Sequence, residues 1–138
     1  MTDVNSEKSS IKISPLDKCH KELGGKMVSF AGYSMPLHFQ NGILSEHLHT
    51  RTSASLFDVS HMGQIYIQGS EIYQQVERFV PANLVALKPW SMSYTQLINT
   101  DGGILDDIII TKTETGLIII ANASRAMDDY DFIQSQLS

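Results

Sequence analysis

Cysteine is almost missing from this 138-residue chain, and Cys19 stands alone. That excludes an internal disulfide framework and fits a reducing compartment. Basic residues are also few: 10 Lys and Arg against 15 Asp and Glu give a net charge of -5. The acids are spread along the chain, so no clustered basic face for nucleic acid is expected. No apolar run approaches the ~20 residues that span a bilayer, and no membrane association is expected. Residues 1–10 lack the apolar core of a secretory signal, and they carry acids that a transit peptide avoids. The expectation is a disordered polar tail over residues 1–13 of a cytoplasmic protein. One domain over residues 14–138 follows from the length and the 42% hydrophobic content.

The punctuation of the chain predicts its elements. Ser14-Pro15-Leu16-Asp17 reads as a helix start, and Leu16, Cys19, His20 and Leu23 share a face before Gly24-Gly25 ends the helix. A short strand is expected over 26–31. Residues 32–36 read as a loop, because Pro36 forces Met35 out of helical geometry. A second helix over 41–51 carries Ile43, Leu44, His47 and Leu48 in a stripe. Strand is expected over 56–59 and 62–67, interrupted at Ser60-His61. Ser70 is placed to cap a helix bearing Ile72, Val76, Phe79 and Val80, and residues 81–89 read as loop. Three strands then follow, at 92–98, 104–111 and 117–122. The closing helix begins at Ser124 and turns Met127, Tyr130, Ile133 and Leu137 inward. The order predicts an α+β fold with a split βαβ-like (ferredoxin-like) antiparallel sheet. Such a plan carries a strand after its last helix, so the sheet is expected to be incomplete at the C-terminal end.

The apolar run at 104–110 holds two aspartates, Asp106 and Asp107. Neighbouring side chains of a strand point to opposite faces, so one is expected in solvent and the other on the less polar side. A carboxylate on the apolar side needs a hydrogen bond, a cation or a proton. With Asp101-Gly102 as a two-residue turn, Thr100 faces Gly103, Gln96 faces Asp107, and Tyr94 faces Ile109. Tyr94 and Asp107 then lie diagonally on one face. With Glu114-Thr115 as the next turn, Asn122 falls opposite Asp107, and a slip of one residue brings it to Asp106. Gly116 leaves both arrangements open, and purely structural roles for both aspartates remain open too.

The five histidines form no metal pattern: there is no HExxH motif, and Cys19 has no CxxC partner. His47 and His49 are two apart, which on a helix separates them. Asp58-Val59-Ser60-His61 reads as a structural turn, because no GxSxG elbow accompanies it. No metal site is expected.

Five segments in order resemble the aminomethyltransferases, the tetrahydrofolate-dependent T-proteins of glycine cleavage. They are Pro15-Leu16 through Leu23-Gly24-Gly25-Lys26-Met27-Val28; Phe30-Ala31-Gly32-Tyr33-Ser34-Met35-Pro36-Leu37; Leu56-Phe57-Asp58-Val59-Ser60-His61-Met62-Gly63; Gly102-Gly103-Ile104-Leu105-Asp106-Asp107; and Ala121-Asn122-Ala123. The resemblance spans about residues 14–137 and the N-terminal portion of a much longer, three-domain family. It implies transfer of an aminomethyl group from the lipoyl arm of a carrier, the H-protein, with release of ammonia and formation of 5,10-methylenetetrahydrofolate. It implies that Asp107 is the essential aspartate and that Met62, Tyr94 and Asn122 face the folate. The 138-residue chain alone is expected to be inactive, because the family's later folate contacts lie beyond the matched portion. Three alternatives are a folate-binding domain of a dimethylglycine or sarcosine-type demethylase, a non-enzymatic folate-binding protein, and an interaction domain without folate.

Overall fold

The computed structural model describes residues 11–69 and 71–137. The chain divides after His61 into two compact units. The expected tail over residues 1–10 and the expected capping role of Ser70 lie outside the described residues.

Unit 1 begins with a two-residue strand, β1 (Lys12–Ile13), inside the segment read from sequence as tail. It continues through α1 (Asp17–Glu22), β2 (Met27–Phe30), β3 (Tyr33–Pro36) and α2 (Gly42–Thr52). Its sheet has the order β1-β3-β2. Residues 33–36 are a strand here and not the expected loop. Ala31 and Gly32 both hold positive φ, at 49° and 80°, and they close a two-residue hairpin that pairs Phe30 with Tyr33. Pro36 suits extended backbone as well as it suits loop. Residues 56–59, expected as strand, join no ladder.

Met35 is the one buried apolar residue of unit 1 among those described. α2 forms as expected but buries none of its residues, leaving Leu44 72% exposed. Polar contacts hold much of this unit. Asp58 accepts from Ser14 Oγ at 2.8 Å and from the Ser60 N–H at 2.8 Å, and its Oδ2 lies 2.7 Å from His20 Nε2. The Ser60 bond makes residues 58–60 the turn that the sequence suggested. Burial alone would raise the Asp58 carboxyl, but the bonds from His20, Ser60 and Ser14 outweigh it and hold it well below the usual carboxylate range.

A folded-state pKa below the unfolded value means that the unfolded chain binds the proton more readily. The stability contributed by Asp58 is therefore complete above the unfolded value of about 3.9 and falls away as the pH drops below it. Melting curves taken from about pH 6 down to about pH 3 are expected to show this loss, and Asp58→Asn is expected to flatten it. Equal acid sensitivity in the variant would refute the assignment.

Unit 2 contains β4 (Gly63–Gln68), α3 (Ile72–Val76), β5 (Met92–Ile98), β6 (Ile104–Lys112), β7 (Gly116–Ala121) and α4 (Ala126–Leu137). The class is α+β, as expected. The sheet is fully antiparallel in the order β4-β7-β6-β5. β4 and β5, joined through α3, are split by the two strands between them. The core is made here, by Val76, Leu84, Leu97, Ile108, Ile110, Leu117 and Ile119 among others. α3 stops at Val76, earlier than expected, yet Phe79 and Val80 are buried all the same. Lys112 ends β6 as a buried cation. Its Nζ donates to Leu84 O at 2.8 Å and Val85 O at 2.9 Å, and it lies 4.3 Å from the Tyr73 ring centre. It thereby pins the long 81–89 loop to the sheet.

α4 turns Ile133 inward but leaves Met127 66% and Tyr130 43% exposed, against expectation. Asp129, not Met127, takes the inner position, at 2% exposure.

Candidate functional site

Register brings the candidate residues to one end of the unit 2 sheet. Gln96 pairs with Asp107 and Tyr94 with Ile109, as the sequence predicts. The route differs from the expected one. The loop is one residue longer than a two-residue turn, with Gly102 at a φ of 79° and the Asn99 N–H donating to Gly103 O at 2.9 Å. The ladder then shifts between Leu97 and Ile98, which restores the alignment further along. On the other side of β6, Ile108 pairs with Ala121, and Ala121 pairs with Gly63. One step further on, Asn122 therefore falls beside Asp107 and Met62 beside Asn122. The Glu114-Thr115 turn behaves as the two-residue hairpin loop, with the Thr113 N–H donating to Gly116 O at 2.8 Å.

Alternation sends the two aspartates apart. Asp106 lies on the side of buried Ile108 and Ile110, and Asp107 lies on the exposed side with Ile109. Tyr94 Oη donates to Asp107 Oδ2 at 3.2 Å. This bond, the charge of Asp107 and smaller effects of burial and Asp106 raise the Tyr94 hydroxyl above its ordinary value. Asn122 reaches both aspartates. Its Nδ2 donates to Asp106 Oδ1 at 2.9 Å, to Asp107 O at 3.2 Å and to Asp107 Oδ1 at 3.3 Å. The register is the one with Asn122 opposite Asp107 and not the slipped one; the amide, which carries two hydrogens, still reaches Asp106 as well.

Asp107, Tyr94 and Asn122 are joined by hydrogen bonds, and Met62, half-buried, stands beside them by register without a polar link. The face is open and partly apolar, with Tyr94 67% and Met92 70% exposed. It offers a flat surface next to a fixed negative charge. Two cavities lie elsewhere. One, of about 900 Å³, is in unit 1 between α1, Met35 and Phe57. The other, of about 240 Å³, lies between β4 and α4. The sequence reading missed Asp129, buried on α4 at 2% exposure, whose carboxyl is raised to about 7 by burial first and by the neighbouring Asp106. The spacing of Asp129, Ile133 and Leu137 at four-residue steps puts that acid on the inner stripe, and this was the available signal.

Residues 16–138 match the family described as the GCVT N-terminal domain. The chain belongs to that family. It is 39% identical over 132 residues to a mitochondrial aminomethyltransferase of Dictyostelium discoideum, covering 96% of this chain and 33% of the relative. It is 41% identical over 127 residues to the mitochondrial aminomethyltransferase of Gallus gallus, covering 91% of this chain and 32% of that protein. The crystal structure of glycine cleavage system aminomethyltransferase T from Bartonella henselae superposes with a TM-score of 0.87 at 38% identity, over 92% of this chain and 36% of that one. The chain thus spans about a third of the length of the curated relatives it matches. Among the described residues no helix is long and apolar enough to cross a membrane.

Proposed function

We propose that the chain supplies the folate-facing N-terminal portion of an aminomethyltransferase acting in glycine breakdown. In this reading the complete protein takes the aminomethyl group from lipoylated H-protein, releases ammonia and forms 5,10-methylenetetrahydrofolate in the cytoplasm. The observation that carries it is the linked set of Asp107, Tyr94 and Asn122 on one sheet end, in a chain of the aminomethyltransferase family.

The residues fit a tetrahydrofolate ligand. A flat pterin suits a face with an exposed tyrosine and methionines, and Asp107 offers carboxylate oxygens to its N–H donors. Met62 and Tyr94 would bound the ring, Asn122 would fix the carboxylate, and Asp107 would orient the nucleophilic nitrogen. Departure of ammonia leaves positive charge on the transferred carbon. A carboxylate already held in place stabilises that charge without reorganising.

The test is calorimetric titration of the complete protein with tetrahydrofolate. Tyr94→Ala is expected to weaken binding by roughly tenfold or more, the loss of one aromatic face and one bond to Asp107. Met62→Ala is expected to weaken it less. Unchanged affinity in both variants would remove the ligand from this face.

A further inference from the structure

Gln96 stands directly across from Asp107 in the β5–β6 ladder. Its side chain therefore shares the outer face of the sheet with Tyr94 and Asp107. Tyr94 Oη donates to Asp107 Oδ2 at 3.2 Å, and Asn122 Nδ2 donates to Asp107 Oδ1 at 3.3 Å. Gln96 is half-buried, and its side chain makes no hydrogen bond to any described residue. Its amide is a polar neighbour of Asp107 that the fold leaves unused.

An outward glutamine on a strand is ordinarily a solvated surface residue. This one differs in two ways. It lies beside the carboxylate on which the sheet end converges, and it is half-buried where Met92 and Tyr94 on the same strand face are 70% and 67% exposed. A primary amide carries two N–H donors and one carbonyl acceptor. Each oxygen of Asp107 keeps an acceptor site after its bond to Tyr94 or Asn122. Residues directly opposite in a ladder hold their Cβ atoms about 5 Å apart. Gln96 and Asp107 thus offer a donor and an acceptor side by side. They match a ligand edge on which a carbonyl oxygen lies next to an N–H. The reduced pterin of tetrahydrofolate has such an edge, because its 4-oxo group and its N5–H occupy neighbouring ring positions and point the same way.

We propose that Gln96 is a specificity-determining contact of this face: its amide donates to the 4-oxo oxygen of the pterin while Asp107 accepts from the adjacent N5–H. The contact rests on the folate-face reading above. It also predicts how the preference reverses. An ionised carboxylate at this place only accepts, so Gln96→Glu turns the contact against an oxo group and toward an amino group.

The experiment is calorimetry on the complete protein with tetrahydrofolate and with its 4-amino counterpart, in which an amino group replaces the oxo group. Gln96→Leu breaks no hydrogen bond within the described residues, so the sheet end should stay folded. It is expected to weaken tetrahydrofolate binding about three- to tenfold, the loss of one hydrogen bond. In transfer assays the KM for folate should rise by a similar factor, with kcat held within about twofold. Gln96→Glu is expected to move the ratio of the two affinities about tenfold or more toward the 4-amino ligand. A residue that only supported the sheet would lower both affinities alike. Unchanged tetrahydrofolate affinity in Gln96→Leu, or an unchanged ratio in Gln96→Glu, would overturn the proposal. If Tyr94→Ala weakens tetrahydrofolate while neither Gln96 variant does, the contact fails and the folate face stands. If none of the three variants alters affinity, both readings fall.

Discussion

Asp107→Asn in the complete protein is expected to lower aminomethyl transfer about 10²–10³-fold, the usual cost of removing one preorganised electrostatic partner of a developing charge. The substitution keeps shape and one acceptor oxygen, which can serve Asn122, while the new amide can donate to the Tyr94 hydroxyl, so the sheet end should stay folded. In the proposed reaction it removes the negative charge that would oppose cationic character on the transferred carbon. The loss should therefore fall on kcat more than on the KM for folate. Asp106→Asn is expected to cost about tenfold or less, because it acts only through Asn122. Turnover of both variants with an aminomethylated carrier separates the roles. Equal losses, or a larger loss at Asp106, would reverse the assignment of the two aspartates.

The strand pairing around these aspartates was legible because alternation and turn chemistry restrict it strongly. Pairs on one face recur every second residue, so Gln96, Tyr94 and Asp107 follow from any turn near Asp101-Gly102 that keeps the parity. The structure keeps it by two compensating irregularities, a longer loop at Gly102 and a shift beyond Leu97. Neither is encoded by a pattern that local reading detects, so the pairing was right for a simpler reason than the real one. The hairpin at Ala31-Gly32 was missed because alanine rarely takes a positive φ. Pro36 looked like a loop marker when it was the end of a strand. The division after His61 left no compositional trace, since no Pro- or Gly-rich linker separates the units. Asp129 was missed for a different reason. Acids near the start of a helix read as favourable partners of its dipole, and that reading hides the four-residue spacing that sets Asp129 in line with buried Ile133.

The 138-residue chain purified alone is expected to turn over at least about a hundredfold more slowly than the complete protein, and to self-associate. The reason lies in what the described residues leave exposed. Leu44 and Leu48 of α2 are 72% and 55% exposed, Leu56 is 99% exposed, and Phe57 is 68% exposed. Unit 1 buries Met35 as its only apolar core residue among those described and relies on the polar contacts of Asp58 and His20. Domains with so small an apolar core have little stability in reserve. In unit 2, β4 is an edge strand whose neighbouring cleft against α4 is lined by Ile65, Ile67 and Leu137. An unpaired edge beside apolar side chains invites pairing with another copy. The open face around Tyr94 and Asp107 also lets water reach the charge that the proposed reaction would use, which weakens its effect. Size-exclusion chromatography, calorimetry with tetrahydrofolate and an ammonia-release assay with carrier would test the three consequences together. A monomer that binds and turns over as the complete protein does would show that Asp107, Tyr94, Asn122 and Met62 suffice.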